Sequence, residues 1–464
     1  MMELNQQAVE VRELISQLEP LLTAGDPGWR PLHERARAIA ASIDDPYSAD
    51  DAISRLASIT QHERLLLGDI DGARQSLLDG VAAVKRQQLR DQSPEQQPRL
   101  ADHLWVLYLN LAQLEQWAGM QTGQWEPAAA AAAACLEVAP HTLEPAARMR
   151  QSQVTVAAMD MAMGRLPEAL AGYRLAVDAF RVEEPEALGV VLLGLAQAQL
   201  QLGSFDDATA TLNRAEPLLT HDADAQAALL QARGYIATMT RSPEAAEQLR
   251  AYAAAGANPE LNPLHQAQAR QSFAHAEHAD GEIAEAKRQL DALVASARAA
   301  GEPLTLANAL ARASTATQDL ALITAEPAEA LALHHAALAQ LSEAHDLHPG
   351  SPLDQASLEV SMSDYVLQWH LTVDAMTLPL LRSALDRADG ATAVLRAAAL
   401  TADTARERRD FAQLHAAHGF EVACALAFRL GDKDTLARLI TDRAAHYDWR
   451  ASRDSSAQAV ERPA

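Results

Sequence analysis

The stretch TGQWEPAAAAAAACLEVAP, Thr122 to Pro140, decides how the rest of the chain is read. Seven consecutive alanines, Ala128 to Ala134, stand between Trp125 and Leu136. Alanine has the highest helix propensity, and its single methyl lets two helix backbones approach closely. The stretch therefore predicts a helix packed tightly on both sides, with Trp125 and Leu136 providing bulk at its ends.

The same pattern recurs at GRLPEALAGYRLAVDAF from Gly164, GSFDDATATLNRAEPLL from Gly203 and GEIAEAKRQLDALVASA from Gly281. In each, a large apolar residue follows a glycine by two positions and an alanine follows it by five. The alanines are Ala128, Ala169, Ala208 and Ala286. Four positions further stand Ala132, Tyr173, Leu212 and Leu290, and then Cys135, Ala176, Ala215 and Leu293. This is the i, i+4, i+7 stripe of a helix whose start follows the glycine. Weaker copies place alanines at Ala73, Ala246 and Ala330, although the copy at Ala246 has Arg250 where an apolar residue belongs. After a first interval of 55 residues, successive landmark alanines lie 38 to 44 apart. Self-similarity at such a period marks a repeat array.

From Gly123 to Pro140, the glycine, large apolar residue, alanine, small residue and closing proline resemble the second helix of a tetratricopeptide repeat. LLGLAQAQLQLG, Leu192 to Gly203, resembles the first helix, although alanine and leucine replace most of its aromatic landmarks. The resemblance covers residues 60–345. It implies an all-α fold, a right-handed α-solenoid of antiparallel helix pairs with about 38 to 44 residues per repeat, longer than the usual period of about 34. It also implies a concave groove lined by set positions of each first helix. The candidates are Gln151 and Val154, then Leu193 and Gln197, then Gln231 and Tyr235, and last Gln271, His275 and His278. Amides there can hydrogen-bond a peptide backbone, and apolar neighbours can take side chains. The lysine and asparagine that chaperone-binding members use to clamp a C-terminal tail are absent, so that activity is not implied.

Around the array, residues 1–85 read as N-terminal helices with a first degenerate repeat, broken at TAGDPGW and DDPYSADD, where Asp and Ser can cap helices. The polar, proline-containing 86–102 reads as a flexible loop, 103–345 as the repeat array, 346–448 as C-terminal helical repeats, and 449–464 as a disordered tail.

The formal charge of −24, from 62 acidic against 38 basic residues, disfavours a nucleic-acid partner and suits a basic protein or peptide. Cys135 and Cys424 form no CxxC pair. The N-terminus has neither a basic lead nor an apolar core, and no apolar run is long enough to cross a bilayer, so a cytoplasmic protein with no membrane association is expected. No phosphate loop, nucleophile elbow or HExxH helix occurs, and no catalytic residue or cofactor is expected. His275 with His278, and His345 with His348, have a spacing that could ligate a metal, but no third or fourth ligand accompanies them. The sequence thus points to a non-catalytic scaffold binding a protein or peptide. One alternative is a regulatory or sensor subunit of a bacterial signalling or defence system, partnering a peptidase or NTPase. It rests on FRLGDKDTLARLI, Phe428 to Ile440, which resembles repeat segments preceding caspase-like domains. Another is an enzyme with an unrecognised helical active site. The oligomeric state, and whether the protein's own termini or a second subunit fill the groove, stay open.

Overall fold

The computed structural model describes residues 5–444 except 25, 68, 123, 181–184, 221, 259–260, 262, 302, 348–351, 374–377 and 403. The disordered tail expected at 449–464 lies outside the described residues. The described chain is all-α, with no strand. It divides into two compact units, Met1–Ala162 and Met163–Ala464.

The first unit contains α1 (Gln6–Thr23), α2 (Trp29–Ala40), α3 (Pro46–Leu66), α4 (Ile70–Arg90), α5 (Gln97–Thr122), α6 (Glu126–Val138) and α7 (Pro145–Ala162). The second contains α8 (Leu166–Ala179), α9 (Pro185–Gln201), α10 (Phe205–Ala215), α11 (Ala223–Met239), α12 (Ala245–Ala255), α13 (Pro263–Ala279) and α14 (Ile283–Ala300). It continues through α15 (Pro303–Ile323), α16 (Pro327–Leu347), α17 (Pro352–Val373), α18 (Leu378–Ala399), α19 (Ala405–Phe411), a π-helical turn (Ala412–Ala416) and α20 (Ala417–Leu430). A last helix, α21, spans 433–444. Within each unit, packing runs chiefly between helices adjacent in the chain, as in a helical repeat.

The landmark alanines are where the repeat pattern puts them. Ala128, Ala169, Ala208 and Ala286 are fully buried, as are Ala132, Ala176 and Ala215. The alanine helix α6 buries a single stripe, Ala128, Ala131, Ala132 and Cys135, while Ala130 and Ala133 face water. Tight packing on one face, rather than both, is what its alanines provide. Elsewhere glycine allows close crossings: a Cβ on Gly80 would fall 2.5 Å from that of Ala57, and one on Gly194 would fall 2.5 Å from the Tyr173 ring.

The turn also repeats inside four successive hairpins, from α7–α8 to α13–α14. Gly164, Gly203 and Gly281 hold φ of 72°, 78° and 88°, the left-handed region that costs L-residues steric strain. Between them Arg241, at φ 53°, takes the same conformation without a glycine. The copy that looked irregular is therefore a true member. In α12 the buried residues are Ala245, Ala246, Leu249 and Tyr252, while Arg250 points outward and pairs with Glu277 at 3.2 Å and with Asp280.

Three readings of the sequence are corrected. Most of 86–102 is helix, with only residues 91–96 between α4 and α5. Pro98 is tolerated in the first turn of α5, and the Gln97 side chain donates to the carbonyls of Gln88 and Asp91 at 3.0 and 2.6 Å. Of the acidic residues in DDPYSADD, Asp45 caps α3 through the Ser48 N–H at 2.8 Å, but Asp50 and Asp51 are buried ion-pair members inside the helix. The boundary between compact units falls inside the expected array of 103–345. It runs there because α7 packs on α5 and α6 while α8 packs on α9.

Within the second unit, segments some 200 residues apart in sequence meet. Ser204 Oγ donates to Asp410 at 3.1 Å, and His415 Nε2 donates to the Gln201 carbonyl at 2.8 Å. Arg174 pairs with Glu407 at 3.0 Å and Arg406 with Asp207 at 3.3 Å. A Cβ on Gly203 would come within 2.9 Å of the Asp410 carbonyl.

Candidate functional site

Three helices of the second unit carry polar side chains at helical spacing onto one concavity. Helix α11 provides Gln231, Tyr235 and Thr238; α13 provides Gln268, Gln271, Ser272 and His275; and α15 provides Thr305, Asn308 and Arg312. Residues three, four and seven apart share a helix face, which aligns each set. Met239 and Leu249 complete the apolar part of a cavity of about 370 Å³.

Of the groove candidates, Gln231, Tyr235, Gln271 and His275 meet here. Gln231 donates to Gln268 at 3.3 Å, Gln271 is nearly buried, and Tyr235 keeps 41% of its surface open to water. The others lie elsewhere. His278 turns to Asp319 at 2.7 Å. Leu193 is buried in the core that α9, α10 and α11 form, so it belongs to packing rather than to a groove. Gln197 is half-buried on α9. In the first unit, Gln151 is exposed and Val154 half-buried on α7.

The cavity's electrostatics turn on Arg312, which the sequence reading missed. Its side chain retains solvent-exposed surface, yet burial presses its pKa below the usual arginine value. Arg312 thus lines the cavity with its side chain open to water. Its hydrogen-bond partner is His275, whose Nδ1 and Nε2 lie 2.9 and 2.8 Å from Nη1. Burial, then the Arg312 charge, then His278 push the His275 pKa down to about 3. His275 is therefore neutral at physiological pH and offers a ring lone pair to the guanidinium. Among the described residues no carboxylate pairs with Arg312, and none lines the cavity. The nearby acids are engaged: Asp319 with His278, and Glu277 and Asp280 with Arg250.

A larger cavity of about 830 Å³ lies in the first unit and was not foreseen either. Its lining includes Arg12 from α1, Asp51 and Arg55 from α3, and His103 and Asn110 from α5. Asp51, only 4% exposed, accepts from Arg12 Nε and Nη2 at 2.8 and 2.6 Å and from Arg55 Nε at 3.2 Å. Burial alone would raise its carboxyl pKa, but the two guanidiniums outweigh that and hold it below the ordinary value. His103 is pushed down to about 4, first by burial and then by the Arg55 charge. A buried acid with arginine four positions on, as in DAISR, was the available signal, but capping explained the aspartates equally well.

Among the described residues no three His, Cys, Asp or Glu side chains cluster as metal ligands, and no helix is long and apolar enough to cross a membrane.

No protein-family model matches the chain, and no curated protein does. Solved structures do resemble it. A Rap protein complexed with competence and sporulation factor is 14% identical, with 82% of this chain and 99% of that one covered at a TM-score of 0.48. A signal transduction ATPase with numerous domains and a tetratricopeptide repeat sensor, from Pyrococcus horikoshii, is 10% identical. It covers 87% of this chain and 66% of its own at a TM-score of 0.43. A monomeric mutant of IFIT1 with Gppp-AAAA is 13% identical, covering 97% and 96% at a TM-score of 0.38. Of these three, the ATPase is the one described as carrying a tetratricopeptide repeat sensor.

Proposed function

We propose that the chain is a non-catalytic binding scaffold that holds a protein or peptide segment against the face formed by α11, α13 and α15. The observation that carries this reading is the lining of the 370 Å³ cavity: side-chain amides of Gln231, Gln268, Gln271 and Asn308 surround one half-open aromatic ring, Tyr235. An extended peptide presents a backbone N–H and C=O at every residue, and amide side chains can answer both. A phenol ring buries a large area at little conformational cost, the property of residues that dominate binding energy.

The test begins with peptides selected from a displayed library for binding to the intact chain, and compares wild type with Tyr235→Ala by calorimetry. Tyr235→Ala is expected to weaken binding by about 1 to 3 kcal/mol. Its thermal stability should stay within about 0.5 kcal/mol of wild type, as for an exposed side chain. Equal affinities for the two proteins, with cross-links mapping the peptide to other helices, would remove the cavity from the binding surface.

A further inference from the structure

The charge in this cavity says what kind of ligand group it receives. The protein carries a net charge of −24, and its arginines are for the most part paired with carboxylates, as Arg12, Arg55, Arg74, Arg86, Arg250 and Arg298 are. Arg312 is different: it lines a concavity, stays open to water, and meets a neutral imidazole where the others meet a carboxylate. A guanidinium stays charged in proteins and presents five N–H donors in a planar fork. His275 can accept from part of that fork, which leaves other donors for a group entering from solvent. With no carboxylate among the described residues of the cavity wall, the charge and the remaining donors of Arg312 are free to pair with an incoming anion, which a concave wall shields partly from water.

We propose, building on the binding-scaffold reading, that the cavity around Arg312 recognises a carboxylate of its ligand, either a free peptide C-terminus or an Asp or Glu side chain. Carboxylate geometry matches the guanidinium fork in a bidentate pair. The amides of Gln271 and Asn308 and the hydroxyls of Ser272 and Thr305 stand beside it to meet the adjoining peptide group. A single cation suits a monoanion better than a phosphate dianion, which one guanidinium leaves half-neutralised. The outer surface of the protein is acidic, so this pocket is an exception to its field and would select one acidic group within a ligand whose remainder can be basic or neutral.

Small probes isolate the claim from the identity of any partner. In protein labelled with 15N-arginine, the Arg312 Nε–H resonance is assigned by its loss in Arg312→Gln. It is then followed while N-acetylglycine, N-acetyl-aspartate bisamide with a free side-chain carboxylate, neutral N-acetylglycinamide, or inorganic phosphate is added at constant ionic strength. At least one carboxylate probe is expected to give a saturable shift with a millimolar midpoint, and the tighter of the two identifies the terminal or side-chain source. Calorimetry with the same probe should show binding weakened at least tenfold in Arg312→Gln and partly kept in Arg312→Lys. No saturable shift with either carboxylate, an equal shift with the neutral amide, tighter binding of phosphate, or undiminished affinity in Arg312→Gln would each overturn the proposal. The two readings fail separately. Selected peptides that depend on Tyr235 but contain no usable carboxylate would leave the scaffold reading standing and sink this one. Saturable carboxylate binding with no peptide recovered would do the reverse.

Discussion

The two polar cavities place arginine in concave settings and resolve the charge differently. In the first unit Arg12 and Arg55 converge on the buried carboxylate of Asp51, and with Glu19, Arg99 and Asp102 the larger cavity is lined by three basic and three acidic side chains. In the second, Arg312 faces a histidine held neutral and, among the described residues, no carboxylate. The difference separates an arginine that belongs to the fold from one that is available to a ligand. Size and charge balance rank the two cavities differently: the 830 Å³ cavity is lined by as many acidic as basic side chains, whereas among the described residues of the 370 Å³ cavity Arg312 has no carboxylate beside it.

The largest expected effect tests the charge-balanced side. Asp51→Ala leaves two arginines converging on a site without their anion, and should cost about 3 kcal/mol by urea denaturation, toward the low end for broken buried pairs because both arginines keep some water. The same aspartate fixes a pH dependence. Its folded pKa is depressed, so its stabilisation is fully present above the unfolded carboxyl pKa of about 4 and is lost as pH falls through the folded value. The wild type should therefore lose more stability between about pH 5 and pH 2 than Asp51→Ala does. Parallel stability curves for the two proteins would mean that the cavity is not held by this pair.

Much of the architecture was legible beforehand, and the reason is steric. Ala128, Ala169, Ala208 and Ala286 are fully buried on the packed faces of their helices, and such positions leave a periodic trace in the sequence. Gly164, Gly203 and Gly281 are equally readable, because left-handed turns favour glycine. Arg241 took the same turn without it, and the repeat it belongs to consequently looked defective. The site was half legible for a related reason. Gln231, Tyr235, Gln271 and His275 could be placed by counting back from a turn residue. Arg312 could not, because Thr324, Ala325 and Glu326 replace the glycine after α15, and α15 spans 21 residues where α11 and α13 span 17. The links between residues 201–207 and 406–415 left no local trace at all, since they depend on how many small helix-to-helix rotations accumulate.

An intermediate effect is expected from Gly256→Ala, which asks whether the second cavity is a shaped receptor or merely loose packing. A Cβ at Gly256 would fall 2.2 Å from that of Ala269, one residue after Gln268 on the helix that also carries Gln271 and His275. The contact joins two rigid methyls, so α13 must shift against α12, at a cost of about 1 to 3 kcal/mol for overpacking. Thermal unfolding measures the cost, and the Arg312 Nε–H resonance reports whether the cavity moved. An unchanged melting temperature would mean that the α12 and α13 crossing yields freely, and that its cavity has no fixed shape to recognise anything.

The smallest effect carries the sharpest contrast. Arg312→Gln removes a solvent-exposed cation that has no carboxylate partner among the described residues, while glutamine keeps an amide donor that can face His275. An arginine needed by the fold would behave as part of the Asp51 cluster does, and its loss would be felt in denaturation. An arginine kept for a ligand is a local cost to the unliganded protein, the usual trade between stability and function. Unfolding free energy in Arg312→Gln should therefore equal that of wild type within about 0.5 kcal/mol or exceed it. Its His275 should also titrate higher than in wild type, because the second-ranked cause depressing its pKa is gone while burial remains. The histidine can be followed by NMR between about pH 2 and pH 7, bracketing the shift. A loss of about 2 kcal/mol or more, with His275 unmoved, would place Arg312 among the structural arginines and erase the distinction between the two cavities.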